Sequence, residues 1–153
     1  MDNQKNHWEM SFKKKDNFVF SPHEEVIRFF AKYVSKRKGL NEFEKVHAME
    51  ERPKVLDLGC GIGRHIIFSN AMQTDAYGVD LSESAVKFSI DWAKKEGIKN
   101  AEEKILQLYF NKNLIEKIFS TYFDIVEMIL IKRNSIYASQ YFSRYHLVLK
   151  KVI

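Results

Sequence analysis

The chain has 153 residues, 45% of them hydrophobic and 29% charged, which fits one globular domain with a core of its own and excludes a disordered segment. Its net charge of +5 comes from short basic runs such as Lys13-Lys14-Lys15, Lys36-Arg37-Lys38 and Lys150-Lys151, mixed with acids. These read as solvated faces; with no aromatic-basic motif beside them, no nucleic-acid role is expected. The single cysteine, Cys60, excludes an internal disulfide and points to a cytoplasmic setting. The N-terminus lacks the apolar core of a signal peptide, and the apolar run from Ile118 to Ile131 is broken by Asp124 and Glu127, so no membrane partner is expected.

Residues 1–20 are polar with scattered aromatics (Trp8, Phe12, Phe18, Phe20), the pattern of an arm that folds onto something. Ser21-Pro22-His23-Glu24 reads as a capping box with proline at the first helical position. Val26, Ile27, Phe30, Tyr33 and Val34 follow at helical spacing, and Gly39 is the expected stop. Residues 40–52 are charged and read as either a helical continuation or a loop. Residues 1–52 are therefore expected to form an arm and helix packed on a domain spanning 53–153.

From Pro53 the rhythm changes. Val55-Leu56-Asp57-Leu58 is a short buried strand, a glycine turn follows, and Arg64 to Met72 is helical. Ala76 to Asp80 is a second strand. Ser82 or Ser84 caps the next helix, which Gly97 ends with Ile98 packing back. Within it, Val86, Ile90 and Ala93 mark the core face. Ile105 to Leu108 is a third strand, Asn111 to Ser120 a helix, and Phe123 to Val126 opens a fourth strand. Residues 135–150 read as a last helix. Strands alternating with helices imply βαβ units and a parallel sheet.

Three of the six glycines, Gly59, Gly61 and Gly63, fall within five positions between a strand and a helix. Glycine admits positive φ and leaves room for a ligand to approach the backbone. The turn leads to a helix N-terminus, where free N–H groups face outward. Asp80 ends the next strand 21 residues after Gly59, the placement of a carboxylate that accepts ribose hydroxyls.

"VLDLGCGIGRH" followed by "YGVDLSESAV" resembles the first motif and its successor in class I S-adenosyl-L-methionine (SAM)-dependent methyltransferases. The resemblance is good from about residue 53 to 100. It implies a Rossmann-like α/β fold with SAM as cofactor and a small-molecule substrate. Asp57 then helps to hold the methionine portion, Gly59, Cys60, Gly61 and Gly63 approach the cofactor, and Asp80 with Leu81 binds on the ribose side. "FDIV" at 123–126 and "LVLK" at 147–150 resemble the family's fourth strand and the end of the following helix.

A nicotinamide or flavin site is the rival, and it fits less well. It wants glycine at position 64, where Arg64 stands, and no acid before the turn, where Asp57 stands. A carboxylate beside a pyrophosphate is repulsive, whereas beside a sulfonium and an ammonium it is favourable. Asp80 fits both readings. Cys60 reads as a small loop filler, having no base positioned to activate it. The five histidines show no metal-ligand spacing, so no metal is expected. His65 reads as a surface residue of the first helix, with a substrate-facing role as the alternative; Trp8 and Phe12 read as packing, with a pocket lid as the alternative.

Two departures from the family pattern bear on function. An acid near the adenine is usual just after the third strand, where this chain reads Leu106-Gln107-Leu108-Tyr109, and the chain ends where family members turn into a fifth strand. The expected sheet is thus 3-2-1-4 with later strands missing. An inactive SAM-binding remnant, or one part of a split enzyme, stands as the alternative to an active methyltransferase. No catalytic base is assigned. The Phe123–Met128 strand would form an apolar edge inviting a homodimer, unless Phe142, Tyr145, Leu147 and Leu149 fold back over it.

Overall fold

The computed structural model describes residues 2–46, 52–108, 123–134 and 141–151. Contacts divide the chain into two units, residues 1–109 and 110–153.

The first unit opens with helix α1 (Asp2–Lys14), an aromatic stretch and helix α2 (Glu24–Tyr33). The capping box expected at Ser21 does not form. His23 is the N-cap instead, its imidazole accepting the Glu25 N–H. Nor does Gly39 end the helix. α2 stops at Tyr33, and strands β1 (Ser35–Arg37) and β2 (Phe43–Lys45) pair antiparallel, with Gly39 in the turn between them. The Arg37 guanidinium donates to the Gly39 and Leu40 carbonyls, and the Lys38 N–H to the Glu42 carbonyl. A hairpin thus takes up the backbone groups that a longer helix would have satisfied.

Then comes a parallel α/β sheet flanked by helices: β3 (Lys54–Leu58), α3 (Arg64–Ala71), β4 (Asp75–Asp80), α4 (Glu83–Lys95), α5 (Ala101–Lys104) and β5 (Ile105–Gln107). β4 lies between β3 and β5, with Leu56 opposite Tyr77 and Val79 opposite Leu106. The core gathers Cys60, Ile66, Ala76, Val86, Ala93, Ile98, Ala101 and Ile105, with Ile90 packed against it. α4 ends as expected: Gly97 has φ of 76°, and the Ile98 N–H reaches back to the Ala93 carbonyl. Gly78 is required by packing, because a Cβ there would stand 2.9 Å from Cys60 Sγ and run into Ile66.

In the second unit, β6 (Phe123–Asn134) pairs antiparallel with β7 (Tyr141–Lys151). Two expectations are corrected here. The strand opening at Phe123, expected as the fourth of a 3-2-1-4 parallel sheet, is one arm of a two-stranded antiparallel sheet. The last helix is a strand over 141–151, with Leu149 opposite Ile125, Leu147 opposite Met128 and Tyr145 opposite Leu130. Tyr, Phe, Leu and Val there favour a pleated strand, and antiparallel neighbours need only a short connection. The helix expected over 111–120 lies outside the described residues.

Candidate functional site

The β3 to β4 register brings the C-terminal ends of two parallel strands side by side, and the expected site residues gather there. Asp57 is the penultimate residue of β3, and Asp80 is the last of β4. Between them runs the turn, with Gly59, Gly61 and Gly63 at φ of 77°, 54° and 87°, all in the region that favours glycine. The Gly59 and Cys60 N–H groups both bond the Val79 carbonyl, which anchors the turn to β4. Gly63 is the N-cap of α3 and packs against Ser89 of α4.

Each side chain has a defined setting. Asp80 is 9% exposed; its Oδ2 accepts the Gly61 N–H at 2.8 Å and its Oδ1 the Ser82 N–H at 2.8 Å. Burial raises its pKa, against the pull of those backbone bonds, and the nearby Asp57 charge adds to the rise. Asp57 Oδ2 is buried and, among the described residues, makes no hydrogen bond. Leu81 follows Asp80, and its carbonyl accepts from the Gln107 side chain. Cys60 is 4% exposed, packed beneath Gly78. Its thiol is pushed well above the ordinary range by burial and then by the Asp57 and Asp80 charges. A neutral buried thiol fits the role of loop filler.

His65 is not the surface residue expected. Its Nδ1 lies 3.3 Å from Asp57 Oδ2 without the alignment of a hydrogen bond, and its Nε2 accepts the His23 N–H. With Nε2 accepting, a neutral ring carries its proton on Nδ1, facing Asp57. Sequence reasoning also missed Glu9. Its carboxylate accepts from the Ser82 and Ser84 hydroxyls and the Ser84 N–H, at the start of α4. Ser82 is meanwhile the N-cap of α4, accepting the Ala85 N–H. Partners 73 and 75 residues apart leave no local pattern to read. Among the described residues no cluster of His, Cys, Asp and Glu could hold a metal ion, and no helix is long and apolar enough to cross a membrane.

None of the curated proteins matches the chain. Among solved structures it is similar to TehB from Haemophilus influenzae, with 23% identity over 71% of this chain and 30% of that one, at a TM-score of 0.42. It is also similar to a SAM-dependent methyltransferase from Thiobacillus denitrificans in complex with S-adenosyl-L-homocysteine, with 17% identity over 66% of this chain and 35% of that one, at a TM-score of 0.39. A third is the corresponding complex from Geobacter sulfurreducens, with 16% identity, coverage of 66% and 35%, and a TM-score of 0.38. The chain spans about a third of the length of these proteins. The family model described as a methyltransferase domain matches residues 50–152, which takes in the glycine turn, both carboxylates and the strands that position them. The chain belongs to the methyltransferase domain family.

Proposed function

We propose that this chain binds SAM at the Asp57–Gly63 turn and serves the transfer of its methyl group to a small-molecule acceptor. The observation that carries the reading is geometric: two carboxylates, Asp57 near the end of β3 and Asp80 at the end of β4, bracket the glycine turn and set a negative field there. Such a field repels a pyrophosphate and suits a ligand bearing a sulfonium and an ammonium.

The residues present fit that ligand. Asp57 Oδ2, buried without a hydrogen bond, is an acceptor for the ammonium of the methionine end. Each Asp80 oxygen accepts one backbone N–H and retains capacity for a ribose hydroxyl. Gly59 faces open space, so backbone is available for close approach. SAM supplies a methyl group on positively charged sulfur, ready for direct displacement. The protein's task is then to hold the donor and align the acceptor, and orientation supplies much of the acceleration.

Equilibrium dialysis with methyl-labelled SAM, followed by label transfer to a panel of small nucleophiles, tests the proposal. Retention of label by the protein and its transfer to at least one acceptor is expected. Retention without transfer to any acceptor would leave a SAM-binding protein and remove the transferase reading.

A further inference from the structure

Helix α1 stands on the candidate site. Glu9 Oε2 accepts the Ser82 hydroxyl at 2.7 Å and the Ser84 N–H at 3.2 Å, while Oε1 accepts the Ser84 hydroxyl; Lys13 lies 3.5 Å from Oε1. These donors begin two residues beyond Asp80. Phe12, three residues along the same helix face, points its ring at Gly61. The ring tip is 3.2 Å from where a Cβ of Gly61 would stand. A ring so close leaves no gap for a ligand atom on that side of the turn. Asp80 and Ser82 beside it are buried, at 9% and 0% exposure, whereas Gly59 faces open space. The turn is thus partly open, and its Gly61 side is filled by the chain itself.

We propose that α1 is an autoinhibitory plug: Glu9 pins it to Ser82 and Ser84, Phe12 occupies the approach to Gly61, and a ligand must displace it to reach Gly61 and Asp80. This rests on the reading that the turn binds SAM. Occupancy of the site is then set by competition between ligand and helix, and apparent affinity falls with the fraction of molecules in which α1 is docked. Glu9 is pinned by hydroxyls and an N–H rather than by apolar burial alone, so the plug is released by losing a few polar contacts. Phe18 and Phe20 meet Phe88 and Trp92 of α4 next to it, which keeps a released α1 tethered close by.

Calorimetric titration of the full chain with S-adenosyl-L-homocysteine, for wild type, Glu9→Ala, Glu9→Gln and Phe12→Ala, tests the plug, together with hydrogen exchange of residues 5–14. Unchanged melting of at least one variant confirms a fair comparison. Glu9→Ala and Phe12→Ala should each tighten binding about three- to tenfold, as expected when a blocked state is depopulated. Exchange over 5–14 should quicken in Glu9→Ala without ligand, and in wild type when ligand is added. Binding by wild type that the variants leave equal or weaken, or slower exchange of α1 on ligand addition, overturns the plug and makes α1 a cover over bound ligand. Absence of binding in every form removes the SAM reading itself, and the plug with it.

Discussion

Asp80 Oδ2 accepts the Gly61 N–H at 2.8 Å, so the carboxylate that ends β4 is bonded into the middle of the turn that leaves β3. Its other oxygen takes the Ser82 N–H at the start of α4. One side chain therefore fixes both loops that frame the site. Asp80→Ala should weaken SAM binding by about 1–3 kcal/mol, the range for losing hydrogen bonds to a charged group. Titration of wild type and variant checks this, and equal affinities would place the ribose elsewhere.

Gly59 and Gly63 share a left-handed backbone but differ in what surrounds them. A Cβ at Gly59 meets nothing within 4 Å, whereas at Gly63 it runs into Ser89 Oγ and stands 3.0 Å from Ser89 Cβ. Gly59→Ala should therefore cost about 1–2 kcal/mol, from backbone conformation alone. Gly63→Ala adds the overpacking penalty, about 1–3 kcal/mol more. Denaturant melts of the two variants should show this order; the reverse order would mean that α3 and α4 do not pack as described.

The parts of this fold legible in the sequence are those whose causes are local. Gly97 with Ile98 announced the end of α4, and the spacing from Gly59 to Asp80 announced a turn and the end of a neighbouring strand. Ser21 misled because His23, two residues nearer α2, caps it instead, its imidazole accepting the Glu25 N–H. Gly39 fits a helix stop and a hairpin turn equally, and only pairing of Ser35–Arg37 with Phe43–Lys45 decides between them. Residues 141–151 carry Phe142, Tyr145, Leu147 and Leu149 at spacings compatible with both periods, so the β6 partner settles what periodicity does not. The settings of His65 and Glu9 depend on long-range contacts, which residue type alone does not announce.

Cys60 should behave as a buried neutral thiol. Its raised pKa means the folded state holds the proton more tightly than the unfolded chain does, so its contribution to stability is present below the unfolded value and is lost as pH climbs through the folded one. At neutral pH a thiol reagent should modify the native protein at least about a hundredfold more slowly than the unfolded chain, following opening of the core. Cys60→Ser should keep SAM affinity. Loss of methyl transfer in that variant with affinity intact would give the thiol a chemical role.

Glu9 titrates in the opposite sense. Burial pushes its carboxyl up, but the bonds from Ser84 and Ser82, with Lys13 nearby, prevail and hold it at about 2, below the ordinary value of 4.5. Its contribution to α1 docking is thus complete above pH 4.5 and is lost as pH falls toward 2. Exchange of residues 5–14, or Trp8 fluorescence, should report release of α1 across that window. Glu9→Gln should release α1 without that dependence; an unchanged acid transition in the variant would assign it to other carboxylates.

Calorimetric titration with S-adenosyl-L-homocysteine and, separately, NADH tests the central claim most directly. Two carboxylates around a glycine turn should accept the first, with one site per chain, and refuse the second, and Gly61→Val should abolish binding by placing a branched side chain where ligand meets backbone. Binding of NADH with no heat from S-adenosyl-L-homocysteine would contradict the account.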